Sequence, residues 1–250
     1  MQYGICHLSI VPVRSLADDT GEMISQILYG EHFKVLEQRK RWSKVRIAFD
    51  RYEGWVDNQQ FLPISEEVYV EIDRSDSTRI SSELISYVET GPNMLLPILL
   101  GSTIVQHPVL GHRFDGPYAS GPQNKEQLVP TALHYLNAPY LWGGKTVFGI
   151  DCSGLAQMVY KINGYNLLRD CRQQSAQGEA LSFVEESEPG DLAFFDNNEG
   201  VIDHVGIIME NNYIIHSNGK VRIDRIDHTG IFNTETKTYT HSLRVIKKII

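Results

Sequence analysis

The chain is short of cysteine, of long apolar runs and of basic faces, and each shortage removes a class of protein. Its 250 residues hold only Cys6, Cys152 and Cys171. An odd, irregularly spaced set is no disulfide framework, and it suits a reducing compartment where a thiol stays free. No stretch approaches the roughly 18 consecutive apolar residues of a membrane span. The longest apolar run, near Met94–Leu100, is interrupted by Pro97, so no membrane partner is expected. Lys and Arg number 23 against 31 Asp and Glu, a formal net charge of −8. That sign repels phosphate backbones, and no Lys/Arg-rich face offsets it, which argues against nucleic acid. His107, His112, His134 and His228 show no C-x-x-C or H-x-x-x-H spacing, so neither a metal site nor a cofactor is expected. The start, Met1-Gln-Tyr-Gly-Ile-Cys-His, lacks a basic segment followed by an apolar one. The expected location is therefore the cytoplasm, with export as the alternative if a leader has been removed.

What is present is ordinary globular composition, 42% hydrophobic and 22% charged, on a length comfortable for two or three domains. Residues 1–63 alternate short strand-like runs with turns: Ile5–Val13, Ser25–Leu28, Phe33–Glu37, Trp42–Ala48 and Gly54–Val56. That spacing predicts a small β-barrel. Leu62-Pro63 marks a linker. Over 66–120, Val68–Ile72 and Met94–Leu100 read as strands and Ser81–Val88 as one or two helical turns, a second small and mostly β module. From Asn124 the period changes. Leu128, Ala132, Leu133, Tyr135 and Leu136 fall near helical spacing, and Leu155, Met158, Val159 and Ile162 repeat at i, i+3, i+4 and i+7. Strands follow at Asp191–Phe195, Asp203–Met209, Tyr213–His216, Val221–Arg225 and Ser242–Lys248. Helices first and an antiparallel sheet afterwards predict an α+β domain over 124–250.

The chemistry centres on Tyr140-Leu-Trp-Gly-Gly-Lys and Gly149-Ile-Asp-Cys-Ser-Gly. With Asp151 as N-cap, Cys152 falls in the first turn of a helix, where unpaired N–H groups and the dipole favour a thiolate. Such placement lowers a thiol pKa from ~8.5 by one to several units. The candidate bases are His204 and His216, separated by an even 12 positions across a predicted hairpin. On one sheet face, His216 would hold the His204 ring in the tautomer that accepts the thiol proton. Tyr140 and Trp142 read equally well as core aromatics, and Asp151 as a plain cap.

Asp151-Cys-Ser-Gly, Asp203-His-Val-Gly-Ile, the later His216 and the upstream Pro139-Tyr-Leu-Trp-Gly-Gly resemble the NlpC/P60 branch of papain-like cysteine peptidases over residues 124–248. The N-terminal order, with Trp42-Ser-Lys-Val and Gly54-Trp-Val last, resembles a bacterial SH3-like domain, and 66–120 could be another. The resemblance implies a papain-like catalytic domain behind SH3-like barrels. It implies Cys152 as nucleophile, His204 as general base and then acid, and His216 as third member. The Tyr140 hydroxyl with the Cys152 N–H would form the oxyanion hole. Asp151, Ser153, Trp142 and Asp170 would be substrate-side residues. The implied activity is cleavage of the bond between γ-D-glutamate and a diamino acid, in cell-wall peptides with a free L-alanine, by a monomer engaged in recycling. The rival readings are an exported hydrolase anchored to the wall by its SH3-like part, an acyltransferase, and a catalytically dead binding protein.

Overall fold

Alternation of apolar and polar residues builds the first part of the computed structural model, which describes residues 2–75, 78–197 and 199–250. Seven strands, β1 (Gln2–Ile5), β2 (Ile10–Arg14), β3 (Met23–Leu28), β4 (His32–Gln38), β5 (Trp42–Ile47), β6 (Glu53–Asp57) and β7 (Leu62–Ile64), form one antiparallel sheet in the order β3-β2-β6-β5-β4-β1-β7. Along β2 and the first half of β4 every second side chain is buried. Val11, Val13, Ile27, Phe33, Val35, Val45, Ile47 and Val56 meet with Cys6 and Phe61 in one buried cluster. Ile5–Val13, read as one strand, is broken between β1 and β2. At the turn Gly30 has φ +78°, and a Cβ there would lie 1.8 Å from Thr103 O. Only glycine fits that approach.

Two expectations for residues 66–120 are corrected. Val68–Ile72 is not a strand but lies inside helix α1 (Glu66–Asp73), opened by Ser65, whose Oγ accepts the Val68 N–H at 3.3 Å. The β-branched run suggested a strand; the cap, with Glu66 and Glu67 in the first turn, decides otherwise. Ser81–Val88 is not helical. It spans the end of β8 (Arg79–Ser81) and the start of β9 (Ile85–Gly91), which pairs with β10 (Met94–Leu99) through a turn at Asn93, where φ is 63°. Alternate burial along β9 is the period-2 signature. Strands β11 (Thr103–Ile104) and β12 (Tyr118–Ser120) flank β8, and Val88, Ile98, Ile104 and Leu110 pack with Ile5 and Tyr29. Residues up to Pro122 therefore cluster as one unit, which also takes in Trp142–Thr146.

The second unit comprises Gln123–Leu141 and Val147–Ile250. Helix α2 (Leu128–Leu133) buries Leu128 and Ala132, and helix α3 (Cys152–Ile162) is buried along its whole length. Short strands β13 (Lys145–Thr146) and β14 (Gly149–Ile150) precede α3, and the four-residue α4 (Cys171–Gln174) follows it. Then come β15 (Glu179–Leu181), β16 (Leu192–Asp196), β17 (Ile202–Met209), β18 (Tyr213–Asn218), β19 (Lys220–Ile226), β20 (Gly230–Asn233) and β21 (Thr238–Lys248), in the order β15-β21-β16-β17-β18-β19-β20. A further pairing of β20 with β21 closes six of these strands into a ring. This is the expected α+β arrangement, with helices first and the antiparallel sheet after. No described helix is long and apolar enough to cross a membrane.

Candidate active site

The nucleophile candidate is placed by its helix. Asp151 caps α3, its Oδ1 accepting the Gly154 N–H at 2.6 Å, so Cys152 is the first helical residue. A buried arginine locks that cap. Arg169 donates to Asp151 Oδ1 at 3.0 Å and Oδ2 at 2.6 Å, and to Ser153 Oγ at 2.9 Å. Ser153 in turn donates to Asp151 Oδ1 at 3.3 Å. Asp151 and Ser153 are thus joined in one buried network, with Arg169 rather than Asp170 at its centre. Asp170 is half-buried and starts α4, its backbone N–H donating to Gln173 Oε1 at 3.2 Å. Trp142 is exposed and belongs to the segment that clusters with the first unit.

The bases are placed by strand register. Gly206 of β17 stands opposite His216 of β18, so His204, two residues earlier, is the diagonal neighbour of His216 on the same face. The rings meet edge to face, with His204 Nε2 and His216 Nδ1 2.8 Å apart. A Cβ on Gly206 would lie 3.0 Å from the His216 Cβ and 2.6 Å from Ile214 Cδ1. The glycine of the Asp-His-Val-Gly segment is therefore what lets the two histidines approach. The Cys152 sulfur lies 3.9 Å from Asp203 O and is also within reach of the Val205 N–H, so it sits against the backbone on both sides of His204.

The third histidine partner is a carboxylate that sequence reasoning missed. His216 Nε2 meets Asp224 Oδ2 at 3.0 Å, across the β18–β19 pairing. Arg222 grips the same carboxylate through Nε at 2.6 Å and Nη2 at 3.0 Å. Burial alone would raise the Asp224 pKa, but the hydrogen bonds from His216 and Arg222 hold it down at about 2. An ionised carboxylate only accepts, which fixes the tautomers in sequence. His216 carries its proton on Nε2, its Nδ1 accepts from His204 Nε2–H, and His204 keeps an unprotonated Nδ1. That free nitrogen is the one a neighbouring thiol needs. The even spacing of Asp224 from His216 was the available signal, hidden because one acidic residue in a charged strand is unremarkable.

The expected lowering of the Cys152 pKa is corrected. Burial, then the charge of Asp151, push the thiol up, and the N–H groups of Val205 and Ser153 only partly oppose this. Burial, with His241 and His216 beside it, holds His204 well below its usual 6.5. The helix tip is real, but desolvation and Asp151 outweigh it. Both shifts favour the uncharged forms, the thiol of Cys152 and the neutral imidazole of His204. Tyr140, partly exposed, is pushed up to about 12 by burial and by the charges of Cys152 and Asp151, and stays a hydroxyl donor.

A polar pocket of about 560 Å³ opens onto His204 and is lined also by Tyr140, Asp203, Ser217, Tyr239 and His241. His241 stacks on His204, centroids 4.0 Å apart and planes at 22°. Ser217 ties β18 to the approach of α3 by donating to Ile150 O at 2.8 Å. Cys171 opens α4, its sulfur 3.7 Å from Ile202 O.

Residues 137–241 match the NlpC/P60 family, and residues 13–61 match the bacterial dipeptidyl-peptidase SH3 domain. The chain is 28% identical over 212 residues to the gamma-D-glutamyl-L-lysine dipeptidyl-peptidase of Bacillus subtilis, covering 77% of this chain and 71% of that one. It is 26% identical over 247 residues to dipeptidyl-peptidase 6 of Lysinibacillus sphaericus, covering 82% and 85%. The crystal structure of an NlpC/P60 family protein from Bacillus cereus matches 99% of both chains with a TM-score of 0.82 at 18% identity, a likeness of fold. The chain thus carries an NlpC/P60 domain over residues 137–241, behind a bacterial dipeptidyl-peptidase SH3 domain over residues 13–61.

Proposed function

We propose that the chain is a cysteine peptidase that hydrolyses the bond between γ-D-glutamate and a diamino acid in bacterial cell-wall peptides, acting in the cytoplasm on freed peptides with an unblocked L-alanine. The observation that carries this reading is the Asp224–His216–His204 chain, which leaves a basic nitrogen on His204 beside the Cys152 helix tip. The two relatives named above for γ-D-glutamyl-L-lysine or dipeptidyl-peptidase activity support the substrate class. Three free cysteines suit a reducing compartment.

The sulfur attacks the γ-carbonyl as His204 Nδ1 takes the thiol proton. Positive charge on the imidazolium is relayed through His216 towards the Asp224 carboxylate. The oxyanion is held by the Cys152 N–H and the Tyr140 hydroxyl. His204 returns the proton to the departing amine, leaving a thioester, and then activates the water that releases L-Ala-γ-D-Glu. Each proton-transfer step contributes about 10²–10⁴-fold in rate. Asp151 and Ser153 are assigned to the polar end of the substrate that carries the free amine, with Asp170 as a further substrate-side residue.

The test is mass spectrometry of L-Ala-γ-D-Glu-L-Lys and its diaminopimelate counterpart after incubation with the wild type and with Cys152→Ala. Release of L-Ala-γ-D-Glu by the wild type alone is expected, and loss of cleavage on N-acetylation of the alanine. Equal release by Cys152→Ala would overturn the assignment of the nucleophile, and no release from either peptide the assignment of the bond.

A further inference from the structure

Behind the nucleophile the structure brings together three imidazoles that nothing in their spacing announces. His204, His216 and His241 each offer a ring nitrogen, and these atoms lie within 4.8 Å of one another. His216 is arranged as metal-binding histidines commonly are: Nε2 is held by the carboxylate of Asp224, which fixes the ring and leaves Nδ1 facing the cluster. That Nδ1 faces His204 Nε2 at 2.8 Å across a shared proton. His241 has Nδ1 on Thr240 Oγ1 at 2.9 Å, which leaves Nε2 for a ligand. The pocket lined by His204 and His241 supplies an entry path.

We propose that these three histidines form a divalent transition-metal site suited to Zn²⁺, whose occupation switches the peptidase off. The ion takes the place of the proton between His204 and His216, and that proton moves to His204 Nδ1, so the ring stays a neutral imidazole. Zinc–nitrogen bonds of about 2.0–2.1 Å put tetrahedral ligand nitrogens roughly 3.4 Å apart. The His204–His216 pair must therefore open by a fraction of an ångström. His241, now stacked over His204, must tilt so that its lone pair meets the ion; it is only half-buried, on the rim of the pocket, where there is room to do so. Three neutral imidazoles select zinc and its late transition-metal neighbours over the hard cations Mg²⁺ and Ca²⁺. A fourth position stays open for water. Inhibition follows because a neutral His204 that binds the ion through Nε2 carries its proton on Nδ1, where it can no longer take the thiol proton. The Cys152 sulfur, lying against the backbone of Asp203, is not among the ligands.

The site is tested on the full-length chain, first stripped with a chelator, by calorimetric titration with Zn²⁺ and by the visible absorption of bound Co²⁺. The expected result is one Zn²⁺ per chain, and dipeptide release falling in step with occupancy. His241→Phe keeps the ring stack but removes the ligand, and is expected to weaken Zn²⁺ binding about tenfold or more. Cys152→Ala is expected to bind as the wild type does. Absence of binding, binding unchanged in His241→Phe, or binding lost in Cys152→Ala would overturn the site; the last would mean that thiol and imidazole capture the ion instead. The switching half rests on the peptidase reading. The calorimetric half needs no turnover, so the two fail separately.

Discussion

Replacing Asp224 by asparagine leaves the shape of the site and removes the one group that sets the proton order along it. The carboxylate accepts from His216 Nε2 at 3.0 Å and from Arg222 at 2.6 and 3.0 Å, and is almost wholly buried. Two losses are expected. The imidazolium formed during attack loses its counter-charge, and a charged hydrogen bond of this kind contributes about 1.5–3 kcal/mol, equivalent to roughly 10–150-fold in rate. In addition, the amide can turn its NH₂ towards His216, which puts a proton on His216 Nδ1 and forces His204 to protonate the wrong nitrogen. In a serine protease triad the analogous substitution costs about 10⁴ in kcat. Here the effect passes through one more ring, so a fall in kcat of about 10²–10⁴ with little change in KM is expected. The assay is dipeptide release from L-Ala-γ-D-Glu-L-Lys, with circular dichroism and thermal melting to show that the variant is folded. The Arg222 guanidinium keeps Glu235 at 3.2 Å as a partner, which limits the structural damage. A folded Asp224→Asn chain within about threefold of the wild-type kcat would refute the tautomer chain.

Three further outcomes follow from the same geometry. Gly206→Ala forces a Cβ to within 3.0 Å of the His216 Cβ and 2.6 Å of Ile214 Cδ1; a loss of about 1–3 kcal/mol in denaturant unfolding is expected, with kcat falling as the histidines part, and an unchanged variant would show that the pair does not need this glycine. Tyr140→Phe removes a hydroxyl that stays protonated at working pH and is expected to lower kcat by about 10²-fold while KM holds, whereas an effect confined to KM would take Tyr140 out of the oxyanion hole. Unfolded imidazoles take up protons near pH 6.5, but folded His241 does so only at about 4 because burial disfavours its charge, and folded His204 likewise lies well below 6.5. Between those limits the unfolded chain binds more protons, so stability falls as pH drops from 6.5 towards 4, by about 3 kcal/mol for His241 at about 1.4 kcal/mol per unit. Denaturant melts in chelator across that range measure it, and a His241→Phe chain with the same slope would contradict the account.

How much of this was legible in the sequence depends on how local each signal is. The cap, the helix stripe and the two motifs around Cys152 and His204 are short-range patterns, and they put Cys152 at a helix start, His204 on a strand and the helices ahead of the sheet, where the structure has them. The parity of residues 204 and 216 read the hairpin correctly because its turn is short and β17 and β18 pair without a register shift beside them. The failures lie where long-range pairing outweighs local composition. Val68–Ile72 has strand-like side chains but a helix cap in front of it, and the cap prevails once Tyr69 packs on Tyr3 at 4.6 Å. The polar, threonine-rich stretch after residue 228 shows almost no apolar period. Even so, β20 pairs with both β19 and β21, and that closure is what swings His241 onto His204.

The thiol is the most instructive failure, because the local reading was right and its consequence was not. A helix N-terminus lowers a thiol pKa when the sulfur is also solvated or faces a cation. Here the sulfur is buried, the adjacent cap is a carboxylate, and the arginine that might have helped is spent on that carboxylate. The same Asp151 that starts the helix therefore opposes the thiolate the helix would favour. What the Asp224 chain supplies is orientation: it fixes the His204 tautomer with Nδ1 free to take the proton. A carboxylate two side chains removed from the sulfur is therefore expected to control turnover through the tautomer it imposes, while leaving substrate binding nearly untouched.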